Sequence, residues 1–185
     1  LLDKLKFDQL DNKRKGELAL SFYEDDQIVT SRFLSKIDYA KMSGLEIGSL
    51  ARAFWQHDSQ LSKHILQKVR YNEMTDREIA GLARGFWQQS GEVVRDVCMR
   101  IGDKNYGKSE LLSYYQSRWG WNPQLGLPVA EDLTKVDQYS TAAWWAKAEF
   151  LRALKQYAKA IAAYQNCQNE PTNLWRMADC QDKLG

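Results

Sequence analysis

No stretch of this sequence approaches the roughly 20 consecutive apolar residues that a membrane-spanning helix requires, so the chain is not expected to insert into a membrane. Cysteines number three, too few for a disulfide scaffold. Histidines number two, His57 and His64. They stand near no second ligand set at metal spacing, so they read as solvated surface side chains and no metal is expected. A surplus of one charge is missing as well. The 26 basic and 24 acidic residues are interspersed and leave +2, which gives no electrostatic reason to expect nucleic acid. No nucleophile elbow, Cys/His pairing or isolated carboxylate pair stands out. The expectation is therefore a non-enzyme with no catalytic residues and no cofactor.

What the sequence has is a period. Leu50-Ala51-Arg52-Ala53-Phe54-Trp55-Gln56 returns 32 residues later as Leu82-Ala83-Arg84-Gly85-Phe86-Trp87-Gln88, and appears more faintly upstream as Leu18-Ala19 and Phe22-Tyr23-Glu24. A fixed period of this size marks a solenoid of helical hairpins, each unable to bury its apolar face alone. The punctuation keeps the same register. Asp11, Ser43 and Thr75 are residues that cap a helix N-terminus. Ser43-x-x-Glu46 and Thr75-x-x-Glu78 are full capping boxes. Behind these caps, Ile47, Ala51, Phe54 and Ile79, Ala83, Phe86 have helical spacing. Asp26, Asp58 and Ser90 cap the second helices, whose ridges are Val29/Phe33/Ile37, Leu61/Ile65/Val69 and Val93/Val97/Ile101.

The expected organisation follows. Residues 1–10 read as the end of a helix that begins before Leu1, and the chain reads as a piece of something longer. Residues 11–137 form four hairpins starting near 11, 43, 75 and 107. The fourth is irregular: a first helix over Ser109–Trp119, a loop over Gly120–Pro128 set by its prolines and glycines, and a short second helix over Val129–Val136. Residues 138–185 form a fifth hairpin and the first helix of a sixth.

From Thr141 onward, Trp144, Ala148, Leu151, Tyr157, Ala160, Tyr164 and Cys167 follow a spacing of large and small residues, with Lys159-Ala160-Ile161-Ala162-Ala163-Tyr164 as a second-helix signature. This segment resembles a tetratricopeptide repeat (TPR), clearly over 141–185 and in degenerate form over 11–137. The resemblance implies an all-α, right-handed superhelix of stacked hairpins. It also implies a concave binding face, on which Arg52, Trp55, Gln56, Arg84, Trp87, Gln88, Trp145, Glu149, Arg152, Trp175 and Asp179 would stand, with Tyr23 extending it. Trp and Arg are the residue types most enriched at binding hot spots. Trp55 and Trp87 also lie one turn from Ala51 and Ala83, so inter-helix core and groove remain alternatives for the indoles. Trp145 and Glu149 occupy positions where co-chaperone TPR domains carry Lys and Asn, which argues against a carboxylate clamp.

Two further features need weighing. Gly102-Asp103-Lys104-Asn105-Tyr106-Gly107-Lys108-Ser109 fits the phosphate-binding pattern G-x-x-x-x-G-K-[ST]. Gly102, Gly107, Lys108 and Ser109 would be the nucleotide-binding residues. That chemistry needs a strand running into Gly102, whereas the register predicts a helix there, so a polar loop with Ser109 as a cap is favoured. Cys167 and Cys180 flank an expected turn at Glu170-Pro171-Thr172 and would form a disulfide only if their Cβ vectors face each other; Cys98 reads as a small buried hydrophobe.

The functional expectation is a non-catalytic scaffold that binds another protein or a peptide segment along its concave face. Its style is similar to bacterial TPR scaffolds of envelope assembly and export, which implies the periplasm or envelope. A carbohydrate- or cell-wall-binding helical domain and a nucleotide-dependent switch through residues 102–109 are the alternatives.

Overall fold

The computed structural model describes residues 9–167 and 171–185, and every regular element among them is helical. The helix end expected over 1–10 and Glu170 of the expected turn fall largely outside that range. The chain divides into two compact units that meet in sequence between Gln89 and Ser90.

The first unit holds α1 (Asn12–Ser21), α2 (Gln27–Ser35), α3 (Gly44–Phe54), α4 (Ser59–Leu66) and α5 (Asp76–Gly85). Their starts are chemically specified. Asp11 accepts the Arg14 N–H at 2.7 Å. Ser43 and Thr75 each accept the backbone N–H of a glutamate three residues on, and Glu46 and Glu78 accept the Ser43 and Thr75 N–H groups at 2.7 and 2.8 Å in return. The carboxylates of Asp26 and Asp58 cap α2 and α4.

Within a hairpin, α1 packs on α2 and α3 on α4. A buried hydroxyl clasps each pair: Thr30 donates to the Ala19 carbonyl at 3.1 Å and Ser62 to the Ala51 carbonyl at 2.7 Å, 32 residues apart. Between hairpins, α1, α3 and α5 lie side by side. Leu50 presses on Gly16 and Leu82 on Gly48, so closely that a Cβ on Gly48 would sit 2.2 Å from the Leu82 Cδ1. Small residues on one ridge admit the large residue of the next. Two 3₁₀ turns, Tyr39–Lys41 and Tyr71–Glu73, which the periodicity did not announce, lead into α3 and α5. The Arg70 guanidinium ties them together by donating to the carbonyls of Tyr39, Ala40 and Met42 at 2.9, 3.2 and 3.1 Å.

The second unit holds α6 (Gly91–Cys98), α7 (Lys104–Gln116), α8 (Pro123–Leu133), α9 (Asp137–Ala153), α10 (Tyr157–Tyr164) and α11 (Pro171–Asp182), each packed on its neighbour in sequence. Two expectations are corrected here. The first helix of the fourth hairpin starts at Lys104, not Ser109, because the Asp103 carboxylate accepts the N–H groups of Asn105 and Tyr106 at 2.9 and 3.2 Å. The stretch 123–128, expected as loop, is helical. Asn122 caps it, Pro123 takes the first-turn position where a missing N–H does no harm, and the exposed Pro128 is carried inside the helix. Farther on, Ala148, Leu151, Ala160, Ala163, Tyr164 and Cys180 form a buried cluster across α9, α10 and α11. All three cysteines are free thiols, so the Cys167–Cys180 disulfide is not formed; Cys180 is buried in that cluster and Cys98 in its own helix face.

Candidate functional site

In the first unit, the recurring Arg/Gln pairs stay in solvent. Arg52 and Arg84 are exposed on α3 and α5, and Gln56 and Gln88 are exposed just beyond them. Arg52 reaches across to α5, where its Cδ and Nη1 lie over Gly85. Its carbonyl accepts the Gln89 side-chain amide at 3.4 Å. The aromatic residues of the same register behave differently. Trp55 is half-buried and stands edge-on to the buried Phe86, ring centroids 5.7 Å apart. One register earlier, Tyr23 makes the same contact with Phe54 at 5.7 Å, and its hydroxyl donates to Asp58 at 3.2 Å. Each aromatic thus closes onto the phenylalanine of the next hairpin, the geometry that ring quadrupoles favour. Trp87 is likewise half-buried.

Two depressions on this face are lined by residues other than the indoles. A cleft of about 440 Å³ between α1 and α3 is lined by Gly16, Leu20, Leu45, Ser49, Leu50 and Ala53, among others. A smaller one of about 80 Å³ between α3 and α5 has Leu45, Ser49, Arg52, Gly81 and Gly85 in its wall. Leu45, 41% exposed, and Ser49 were missed by the sequence reasoning. The signal was available, because Leu45, Ser49, Arg52 and Gln56 form a second helical stripe beside the core stripe of Ile47, Ala51 and Phe54.

In the second unit, the predicted residues on α9 and α11 meet in one charged network. Glu149, only 12% exposed, pairs with Arg152 at 3.0 Å and Arg176 at 3.2 Å, and accepts a very short hydrogen bond from the Tyr164 hydroxyl. Arg152 also reaches Asp179 at 3.7 Å, and Asp179 holds Lys183 at 2.9 Å. Burial, and then the Glu149 carboxylate, push the Tyr164 phenol well above the ordinary tyrosine range. The Lys183 hydrogen bond holds the Asp179 carboxyl below its usual range. Trp145 stands edge-on to Tyr164 at 5.6 Å. Trp175 is 62% exposed, with the Arg176 guanidinium 4.9 Å from its ring centroid. Arg176 was not among the sequence candidates, since nothing local singles it out from other surface arginines.

The glycine-rich stretch has a different geometry from a phosphate cradle. The residues leading toward Gly102 are α6, a helix, and Gly107, Lys108 and Ser109 lie inside α7. Lys108 is paired with Asp132 of α8 at 2.6 Å. Gly107 is buried against the Cys98 carbonyl. Consecutive helical residues turn their N–H groups along the axis, so they cannot converge on a phosphate as the loop of a true site does. Ser109 is not a cap, a correction that follows from the earlier start of α7. Of the histidines, His57 pairs with Glu24 at 3.1 Å and His64 is exposed on α4.

Comparison with protein-family models, with curated proteins and with solved structures finds no match to this chain. The architecture of neighbouring helix pairs is compatible with a helical-repeat fold.

Proposed function

We propose that this chain is a non-catalytic interaction scaffold of TPR-like hairpins, wound as a right-handed superhelix, whose first-helix faces take a segment of a partner protein. One observation carries the reading. At a single recurring register the aromatic side chain packs against the next hairpin (Trp55 on Phe86), while the Arg/Gln pairs beside it remain in solvent around shallow clefts. Rigid helices with capped ends fix the backbone from which those side chains reach, which lowers the ordering cost of association.

The test is a selection of peptides on the intact chain followed by mapping of the bound segment through amide-exchange protection. Binding to the first-helix face is lost in Arg52→Ala/Gln56→Ala/Arg84→Ala/Gln88→Ala, with an unchanged melting temperature. Protection confined to α2 and α4, or binding that survives the fourfold substitution, overturns the reading. A carbohydrate-binding domain remains the second reading, favoured by the exposed Trp175 ring beside Arg176; a glycan array that lights up only when Trp175 is intact supports it. The nucleotide-switch reading draws no support from the geometry of residues 102–109.

A further inference from the structure

A cleft on the second unit shares α9 with the charged network described above but none of that network's side chains, and combines apolar walls with charged groups. It has a volume of about 360 Å³ between α8, α9 and α10. That lies within the range of ligand pockets, at the end suited to one ring or a short acyl chain. Leu127, Leu151 and Ala163 contribute apolar surface, and the half-buried indole of Trp144 supplies a flat wall.

The charges in the lining do not balance. Glu131, Lys147 and Lys159 are its titratable groups, two ammoniums to one carboxylate. Lys147, only 22% exposed, has its Nζ 3.5 Å from Glu131 and 5.0 Å from the Trp144 ring centroid. The distance to Glu131 is longer than a charge-assisted hydrogen bond, about 2.8 Å, so this ammonium is shared between the Glu131 carboxylate and the Trp144 ring. Lys159, exposed at the rim, has no ion-pair partner among the described residues.

We propose that this cleft binds a small apolar monocarboxylate, with its aryl or alkyl body against Trp144 and Leu151 and its carboxylate between Lys147 and Lys159. A single surplus positive charge matches a monoanion, while the Glu131 carboxylate repels a dianion such as a phosphate ester. Gln156 and Asn166 also line the cleft, and a neutral sugar would leave the surplus positive charge unmatched. The cleft is separate from the scaffold reading and does not depend on it.

The experiment uses the full chain, labelled with ¹⁵N, with the Trp144 indole N–H resonance assigned through Trp144→Phe. Sodium 4-phenylbutyrate is the probe; its neutral amide and acetate are the controls. The expected result is a saturable shift of the Trp144 signal by phenylbutyrate, with weaker binding of the amide and no effect of acetate. Lys159→Met, an exposed change that keeps the apolar stem, weakens phenylbutyrate about two- to fivefold, the size of one solvent-accessible charge pair. Lys147→Met weakens it further. The proposal is overturned if the amide binds as tightly as the acid, if both lysine variants bind unchanged, if the shifts fall on other indoles, or if no shift occurs at millimolar probe.

Discussion

The Cα of Gly107 lies against the backbone carbonyl of Cys98, so that a methyl group there would sit 2.7 Å from the carbonyl oxygen. This contact is where α7 crosses the end of α6, and it explains the glycine without any ligand. Because the obstructing atom is backbone, it cannot swing aside as a side-chain end would. Gly107→Ala is expected to lower stability by about 1–3 kcal/mol, the usual cost of overpacking, despite the better helix propensity of alanine. Denaturant unfolding of the two proteins checks it; an equal or raised midpoint contradicts the contact.

A second backbone feature runs the other way. Lys155, with φ of 60°, sits in the left-handed region at the turn after α9. Its N–H donates to the Arg152 carbonyl at 3.0 Å and the Gln156 N–H to the Leu151 carbonyl at 2.9 Å, the paired bonds of a Schellman motif, in which glycine is preferred. Lys155→Gly is expected to stabilise by about 1 kcal/mol, seen as a higher melting temperature.

Ser62 is fully buried and donates to Ala51. Ser62→Ala removes this clasp and should cost about 1 kcal/mol. Ser62→Val should cost less than Ala, because Val94 fills the corresponding register of the repeat without a hydroxyl. Chemical unfolding of the pair decides; a valine variant weaker than the alanine variant contradicts the equivalence.

Acid sensitivity follows from the capping boxes. Hydrogen bonds from the backbone N–H and hydroxyl of Ser43 lower the Glu46 carboxyl below its ordinary range, and those of Thr75 do the same for Glu78. A carboxyl depressed in the folded state binds protons less readily than in the unfolded chain. It therefore contributes stability that is full above the ordinary glutamate value and disappears as pH falls through the lowered one. The melting temperature of Glu46→Gln/Glu78→Gln should fall less steeply on acidification than that of the parent, with the two curves converging at low pH. Parallel curves would contradict the assignment.

The Tyr164–Glu149 bond has its signature at the alkaline end. The phenol is raised, first by burial and then by Glu149, so its contribution is complete below the ordinary tyrosine value and lost as pH rises beyond it. Tyr164→Phe is expected to cost about 1–2 kcal/mol near neutral pH, since a mostly buried carboxylate loses a donor. Tyr23, Tyr39, Tyr114 and Tyr115 are also raised by burial, so phenolate absorbance should show the latest-titrating tyrosine of the parent protein missing from the variant.

The sequence by itself determined where the helices of the first three hairpins begin and which ridges they bury. Caps such as Ser43-x-x-Glu46 and ridges such as Val93/Val97/Ile101 act within one or two turns, so their physics is complete in a short stretch of chain. Only the tertiary structure decided the rest. Asp103 and Ser109 are both competent caps; Asp103 takes the role, and Gly107 inside the resulting helix then packs against the Cys98 carbonyl. Trp55 had two available environments until Phe86 of the next hairpin supplied its partner. Glu149 and Arg152 are already neighbours on α9, but Arg176 and Asp179 join them only when α11 comes within reach. Such contacts depend on where separate elements come to rest, and no local spacing encodes that.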